Sequence, residues 1–299
     1  KVQFCDIESN YFGLSPMEVA KIALESEVKP KAIIAVHLFG QACEIEPIRE
    51  AAMSMDAALI EDCAQSPGAE YHGAKVGQWG HCAVFSFTEN KNITTGEGGM
   101  LVTNDEAIAT RAMQVRNHGE AVGGMLGWNY RLTEMQAALG IAQLEKLDGM
   151  NSGRILLAEY LTRQIQDIPG LTLPRIREKT FSSVAVLSGP RLSVPFAKLP
   201  VGIAYYRCSD CGSLVPAQKC DCSTLKHVYY AYAIKVDPAT LGFSRDVFVK
   251  ALTAEGVQFS AGYVKPLYKQ AIYGNADYDC PAVEDMYYRE LMLTCDTRS

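Results

Sequence analysis

No apolar run in these 299 residues is long enough to cross a bilayer as a helix, which takes roughly 20 consecutive apolar residues. The longest stretch near the start, residues 32–39, is far shorter and is interrupted by His37. Positive charge is also scarce: 28 Lys and Arg stand against 34 Asp and Glu, a formal net charge of -6. Binding nucleic acid or an anionic membrane takes a basic stripe, and none is present, so small molecules or other subunits are the expected partners. No secretory leader opens the sequence, which starts on Lys1 and enters at once on a strand-like Val2-Gln3-Phe4-Cys5-Asp6. This is the pattern expected of a chain entered part-way along. The sequence contains no internal repeat.

What is present describes an ordinary soluble globular protein. Hydrophobic content of 48% and charged content of 21% permit a substantial core, and the length suits one large and one smaller domain. Six of the ten cysteines, Cys5, Cys43, Cys63, Cys82, Cys280 and Cys295, are scattered through apolar segments, the usage of reduced, mostly buried thiols in a cytoplasmic protein. The other four, Cys208, Cys211, Cys220 and Cys222, are clustered.

Strand and helix patterns alternate, as in an α/β protein with a mostly parallel sheet. Ser15-Pro16-Met17-Glu18 carries capping-box chemistry with proline at the first helical position, so a helix is expected to run to about Glu25. Residues 32–38 read as a buried strand, 46–53 as a helix and 57–60 as the next strand, with Asp62 just past its end. Ligands gather at the carboxyl ends of parallel strands, which makes Asp62 a candidate site residue. Residues 83–87 and 100–103 read as further strands, and 105–115 as a helix. A second capping box, Thr133 to Gln136, opens a helix on which Leu132, Met135, Leu139 and Ala142 are expected to form one buried face. A helix is expected over 153–166, a domain boundary around 147–153, a strand over 226–236 and a helix over 245–254.

Between the third and fourth strand patterns lies the run Ser86-Phe87-Thr88-Glu89-Asn90-Lys91, followed by the turn Gly96-Glu97-Gly98-Gly99. Together with Ala35-Val36-His37-Leu38-Phe39-Gly40, Glu61-Asp62-Cys63-Ala64-Gln65, Arg116-Asn117-His118-Gly119 and Asn129-Tyr130-Arg131, these pieces stand in one order over residues 31–148. In that order they resemble the sugar aminotransferases of the DegT/DnrJ/EryC1/StrS family. Weaker similarity resumes at His227-Val228-Tyr229-Tyr230 and at residues 262–268.

The resemblance implies the aspartate aminotransferase-like fold (fold type I), with a mostly parallel large domain over 1–150 and a smaller C-terminal α+β domain over 151–299. It implies pyridoxal 5'-phosphate (PLP) as cofactor and Lys91 as the lysine that forms the Schiff base and then shuttles the proton. By the same resemblance Asp62 pairs with the pyridine nitrogen, Gln65 bonds the ring hydroxyl and Ser86 binds the cofactor phosphate. Asn129 reaches the phosphate of a neighbouring subunit, so the site is shared in a homodimer. Arg131 is a candidate anion contact to substrate. The implied reaction converts a nucleotide-linked keto sugar to an amino sugar, with glutamate as amino donor. Family members that dehydrate the sugar carry histidine where this chain has Lys91. His37 and His118 stand open between structural and site roles.

Two departures from the family pattern bear on the expectation. The family's opening segment, with its phosphate-binding turn at a helix start, has no counterpart here, so this chain by itself is expected to bind PLP poorly. An insertion over about 176–224 carries Cys208-x-x-Cys211 and Cys220-x-Cys222, four thiols that match the ligand count of a structural zinc. A competing reading is therefore a catalytically inactive, aminotransferase-like binding protein whose working feature is this zinc-binding cluster.

Overall fold

A computed structural model describes residues 2–120, 125–176, 181–182, 205–208, 214–216, 225–257, 259–263, 265–274 and 278–294. The frame of the first half is a sheet of four strands, β1 (Ala32–Val36), β2 (Ala58–Asp62), β3 (Cys82–Ser86) and β4 (Gly99–Val102), adjacent in that order. The first three run parallel and β4 runs antiparallel to β3. Val36 pairs with Asp62, Asp62 with Val84, and Ser86 with Gly99, so the carboxyl ends of three parallel strands lie side by side.

Two helices cover one face of this sheet. Helix α1 (Pro16–Glu25) starts where the Ser15 hydroxyl accepts the Glu18 N–H at 3.3 Å, and α2 (Ile45–Ser54) packs against it. Ile45 and Ile48 of α2 are fully buried with Ala35, Leu59 and Ala83 of the strands. Each side chain of that size contributes roughly 1.5–3 kcal/mol through burial. Period-two alternation decides what faces this core: Leu59 and Glu61 are fully buried, whereas Asp62, one residue further on, turns to the other side.

Glu61 is a carboxylate with no solvent exposure, and every lone-pair direction has work. It accepts the N–H groups of Gly77 at 2.8 Å and of Trp79 and Gly80 at 2.7 Å each, together with His37 Nε2–H at 3.0 Å. His37 Nδ1 accepts the Cys43 N–H at 3.1 Å, so both ring nitrogens are spoken for. Burial alone would raise the Glu61 pKa, but the His37 bond and the Gly77 and Gly80 N–H donors outweigh it and hold the group below the ordinary carboxylate range. One acidic side chain thereby ties the ends of β1 and β2 to the loop that leads into β3.

Past α3 (Glu106–Arg116), α4 (Glu134–Leu144) opens on the expected capping box, both halves of which are made between Thr133 and Gln136. Its expected buried face is not buried: Met135 is 83% and Leu139 45% exposed, and Ala142 is exposed too. Gln136 donates to the Glu97 carbonyl at 2.8 Å and Gly140 sits against Thr95, so the helix turns its small and polar side toward the Gly96 turn and its apolar stripe outward. Helix α5 (Leu147–Ile165) begins earlier than the sequence indicates and runs unbroken through the expected boundary at 147–153. Buried Leu147, Asn151 and Arg154 hold that first stretch in helical form despite Gly149 and Gly153.

The second half is an antiparallel sheet of β5 (Leu171–Thr172), β6 (Ala231–Val236), β7 (Ser260–Ala261) and β8 (Glu290–Thr294) in the order β7-β8-β6-β5. It is flanked by α5, α6 (Arg245–Ala254) and α7 (Pro281–Arg289). Tyr232, Ile234, Val236 and Leu291 bury against Ala158 of α5 and Phe248 of α6. The expected strand over 226–236 is regular only from Ala231, and residues 2–6 form no strand. Residues 226–230 instead bend over Gly40, with Tyr229 at φ 44°, which breaks the pleat. Of the insertion, only three short strands, Phe181–Ser182, Tyr205–Cys208 and Leu214–Pro216, are described, in an antiparallel ladder. The four-thiol zinc expectation, which also needs Cys211, Cys220 and Cys222, lies outside the described residues, as does Cys295. The other five scattered cysteines are free thiols, with Cys43, Cys63 and Cys280 buried. Among the described residues no helix is long and apolar enough to cross a membrane.

The Glu61 cluster makes a direct prediction. Glu61→Gln places an amide N–H among backbone donors and is expected to cost about 3 kcal/mol in urea unfolding. Because the folded pKa lies below the unfolded value of 4.5, the carboxylate's contribution is present above that value and is lost as pH falls through the folded one. The gap between wild type and variant should therefore shrink on acidification. A gap that is constant with pH would contradict the charge assignment.

Candidate active site

The site lies where the parallel strands end. Asp62 is the last residue of β2, a position one step inside the strand rather than beyond it as the sequence indicates, and Ser86 is the last residue of β3. Asp62 Oδ1 accepts the Ala64 N–H at 3.0 Å, and its backbone carbonyl accepts the His37 N–H at 3.0 Å. Both contacts fix the turn that leaves the strand, so the carboxylate is presented from a rigid edge.

Lys91 follows β3 in a tight loop in which its own N–H donates to the Thr88 carbonyl at 3.1 Å. Its side chain is only 9% exposed, and its ammonium lies 4.8 Å from the centre of the Tyr230 ring. Among the described residues no hydrogen bond or ion pair takes that ammonium. Burial lowers the Lys91 pKa, and the Asp62 carboxylate partly restores it. The result is an amine that loses its proton more readily than a solvated lysine, a property a nucleophilic or proton-shuttling lysine needs.

Tyr230 reaches Lys91 because of Gly40. That glycine has φ 97°, and a Cβ on it would stand 2.7 Å from the Tyr230 nitrogen and 2.9 Å from that of Tyr229. Only glycine allows the two segments to touch there. The Val228 N–H donates to the Gly40 carbonyl at 2.9 Å and locks the approach.

Gln65 joins the two halves of the protein. Its Oε1 accepts the Phe39 N–H at 2.7 Å, and its Nε2 donates to the Tyr263 hydroxyl. Phe39 and Tyr263 meet edge to face with ring centres 5.7 Å apart. Burial raises the pKa of Tyr263, the Gln65 bond lowers it, and the Asp62 carboxylate raises it again, so this phenol shares the field of Asp62.

The Asp62 charge thus acts on the Lys91 amine and on the Tyr263 phenol, and Gln65 is linked to the same neighbourhood through Tyr263. Asn129 and Arg131 sit apart: both are exposed, Arg131 Nε donates to Asn129 Oδ1 at 3.0 Å, and Arg131 Nη2 lies 3.4 Å from His118 Nε2. Among the described residues no hydrogen bond or ion pair joins them to Lys91 or Asp62. His37 is the structural partner of Glu61. Glu61 and Cys63 stand with it as a possible metal-ligand group, their donor atoms within 4.8 Å of one another. With both His37 nitrogens and both Glu61 oxygens already bonded, that group has no free donor set for an ion.

Residues 1–190 and 209–298 match the model of the DegT/DnrJ/EryC1/StrS aminotransferase family. The chain belongs to that family. It is 41% identical over 157 residues to a GDP-perosamine synthase of Escherichia coli O157:H7, covering 51% of this chain and 43% of that protein. It is 31% identical over 293 residues to a putative L-glutamine:3-amino-2,3-dideoxy-scyllo-inosose aminotransferase of Streptoalloteichus tenebrarius, covering 94% and 59%. The chain spans about half the length of the curated relatives it matches. Among solved structures, an aminotransferase from Psychrobacter cryohalolentis superposes with a TM-score of 0.74 at 26% identity, covering 98% of this chain and 69% of that one. The fold is thus that of the family's PLP-dependent aminotransferases, the mixed α/β architecture of fold type I.

Sequence reasoning assigned no role to Tyr230, Tyr263 or Glu61. Tyr230 and Tyr263 fall within the weaker matching pieces, and Glu61 directly precedes Asp62 in the strand, so the signal was present without the contacts that give it meaning. The electrostatics give a test. Competitive labelling of Lys91 with an amine-selective reagent, followed by peptide mass spectrometry, should show reactivity at lower pH than for surface lysines. Asp62→Asn removes the charge that holds the proton on and should move the reactivity midpoint lower still. A midpoint that rises in Asp62→Asn would contradict the arrangement.

Proposed function

We propose that the complete protein is a PLP-dependent aminotransferase that converts a nucleotide-linked keto sugar to an amino sugar with glutamate as amino donor, and that it works in the cytoplasm as a homodimer. The observation that carries this reading is the buried Lys91 amine, its pKa lowered by burial and partly restored by the charge of Asp62, the last residue of a parallel strand. When bound, PLP supplies an electron-withdrawing ring that stabilises negative charge on the carbon next to the transferred nitrogen.

The residues present fit that group. Lys91 Nζ has no acceptor of its own among the described residues, so it is available as the attachment point and can take up and return a proton. Asp62 would hold a proton on a ring nitrogen. The Ser86 hydroxyl, at the neighbouring strand end, serves the phosphate. Tyr230 lies over the Lys91 amine, its ring centre 4.8 Å away. The Gln65 carboxamide is taken up by Phe39 and Tyr263, so it bonds a ring hydroxyl only by exchanging Tyr263 for it.

Asn129 and Arg131 belong to the shared part of the proposal. Asn129 reaches the phosphate held by the neighbouring subunit, and Arg131 contacts an anionic group of the substrate. The exposed stripe of Met135, Leu139 and Ala142 on α4 supports a second copy packing there. Structural zinc at Cys208, Cys211, Cys220 and Cys222 rests on the spacing of the four thiols. Stoichiometric zinc is expected in protein purified under reducing conditions, and a metal-free preparation that folds normally removes this part.

The amino donor is open to a direct comparison, because the relative from Streptoalloteichus tenebrarius carries L-glutamine in its name. In the protein made from its complete reading frame and loaded with PLP, glutamate should convert the cofactor to its amine form faster than glutamine does. Lys91→Ala should slow that half-reaction by about 10³-fold or more while leaving far-UV circular dichroism unchanged. Turnover retained in a folded Lys91→Ala protein overturns the assignment.

A further inference from the structure

Glu290, the first residue of β8, is a second carboxyl group with no solvent exposure, and the chemistry of the site does not use it. Unlike Glu61 it is half-satisfied. Its Oε2 accepts the Tyr263 N–H at 3.3 Å, while Oε1 is buried without a hydrogen-bond partner among the described residues. Its backbone carbonyl accepts the Gly262 N–H at 3.3 Å, so side chain and main chain together grip the turn that carries Tyr263. Gly262 has φ 59°, and a Cβ there would meet the Tyr287 carbonyl and the Arg245 guanidinium, so the turn has little room to relax.

Among the described residues, the charged groups around Glu290 leave it without a counter-ion. Arg245 of α6 is nearest, but its Nη1 donates to the Tyr287 and Glu290 carbonyls and its Nε and Nη2 to Asp246. Lys235, its cross-strand partner on β6, is bonded to Asp285 and to the Ser9 carbonyl. Arg289, next in the chain, is engaged by Asp285, Asp237 and the Val236 carbonyl. Among the described residues, Tyr263 is the remaining titratable group facing it, and its hydroxyl end is bonded to Gln65.

We infer that Glu290 is a positioning residue whose carboxyl group sets the Gly262–Tyr263 turn and, through the Tyr263 hydroxyl, the Gln65 carboxamide of the Lys91 site. The inference rests on the reading of that site given above. In its protonated form Glu290 carries the proton on the unpartnered Oε1 and leaves Oε2 to the Tyr263 N–H. Ionised, it places a charge beside an oxygen with no donor and pulls harder on the one N–H it has. Burial pushes the Glu290 pKa up to about 7, against the lowering effects of the Tyr263 N–H and Arg245, so the two forms exchange near neutrality.

The test uses the whole chain labelled with ¹⁵N at tyrosine, phenylalanine and glutamine, followed by NMR across the neutral range without cofactor. The Tyr263 amide should titrate with a midpoint of about 7, and the Gln65 carboxamide should move with it. Glu290→Gln, which keeps an acceptor and cannot ionise, should abolish both movements. Tyr263→Phe should keep the residue 263 amide movement and lose that of Gln65. Lys91→Ala should change neither, so a failure of the Lys91 assignment and a failure of this one are distinguishable.

Urea unfolding supplies a second readout. A folded pKa raised from 4.5 to about 7 gives a contribution that is fully present below the lower value and lost as pH rises through the higher one. Glu290→Gln should therefore gain stability relative to wild type as pH rises past neutral. A static Tyr263 amide in wild type, a titration that persists in Glu290→Gln, or an immobile Gln65 carboxamide would each overturn the inference.

Discussion

The buried carboxylate of Glu61 is the constraint on which the arrangement of the site depends. A charge with no exposure is tolerable only when its oxygens are saturated with donors, and three backbone N–H groups and His37 provide them. Because strand side chains alternate, fixing Glu61 inward fixes Asp62 outward. The loop that Glu61 binds runs directly into β3, whose far end carries Ser86 and then Lys91. A single satisfied group in the core thus determines where the exposed chemistry of two strands appears.

From that fixed edge the site is completed by contacts between the two halves of the chain. Gly40 lets residues 226–230 approach closely enough for Tyr230 to cover Lys91, and Gln65 bridges Phe39 to Tyr263. The amine lies against a ring from one half and feels the charge of a carboxylate at a strand end of the other. Two buried glutamates frame this site with opposite character. Glu61 is saturated and kept ionised, while Glu290 is half-satisfied and kept near its titration point. The first supplies rigidity, and the second supplies a group that responds to pH.

Much of this was legible in the sequence, for identifiable reasons. Proline at the helix start, the capping boxes and the Arg245–Ala254 pattern are local signals, and the helices they mark formed as read. The strands of the first sheet were placed to within a residue or two because buried parallel strands are short apolar runs bounded by turns. What failed was tertiary. The stripe of Met135 and Leu139 has helical period, but period does not say which body covers it, and within this chain none does among the described residues. The 226–236 strand was read too long because the bend over Gly40 is imposed by a segment far away in sequence. Tyr263 lies 198 residues from Gln65, and no spacing rule links such a pair. Glu290 drew no attention because an acidic residue between helix and strand reads as surface until its burial is known.

That burial and the Asp62 charge set the Lys91 amine apart from the other lysines among the described residues is most directly tested by attachment chemistry. The complete protein is incubated with PLP, reduced with borohydride and mapped by peptide mass spectrometry. The phosphopyridoxyl group is expected on Lys91 as the dominant product, at sub-saturating cofactor as well as at excess. Labelling spread over surface lysines, or concentrated on a different lysine, would contradict it.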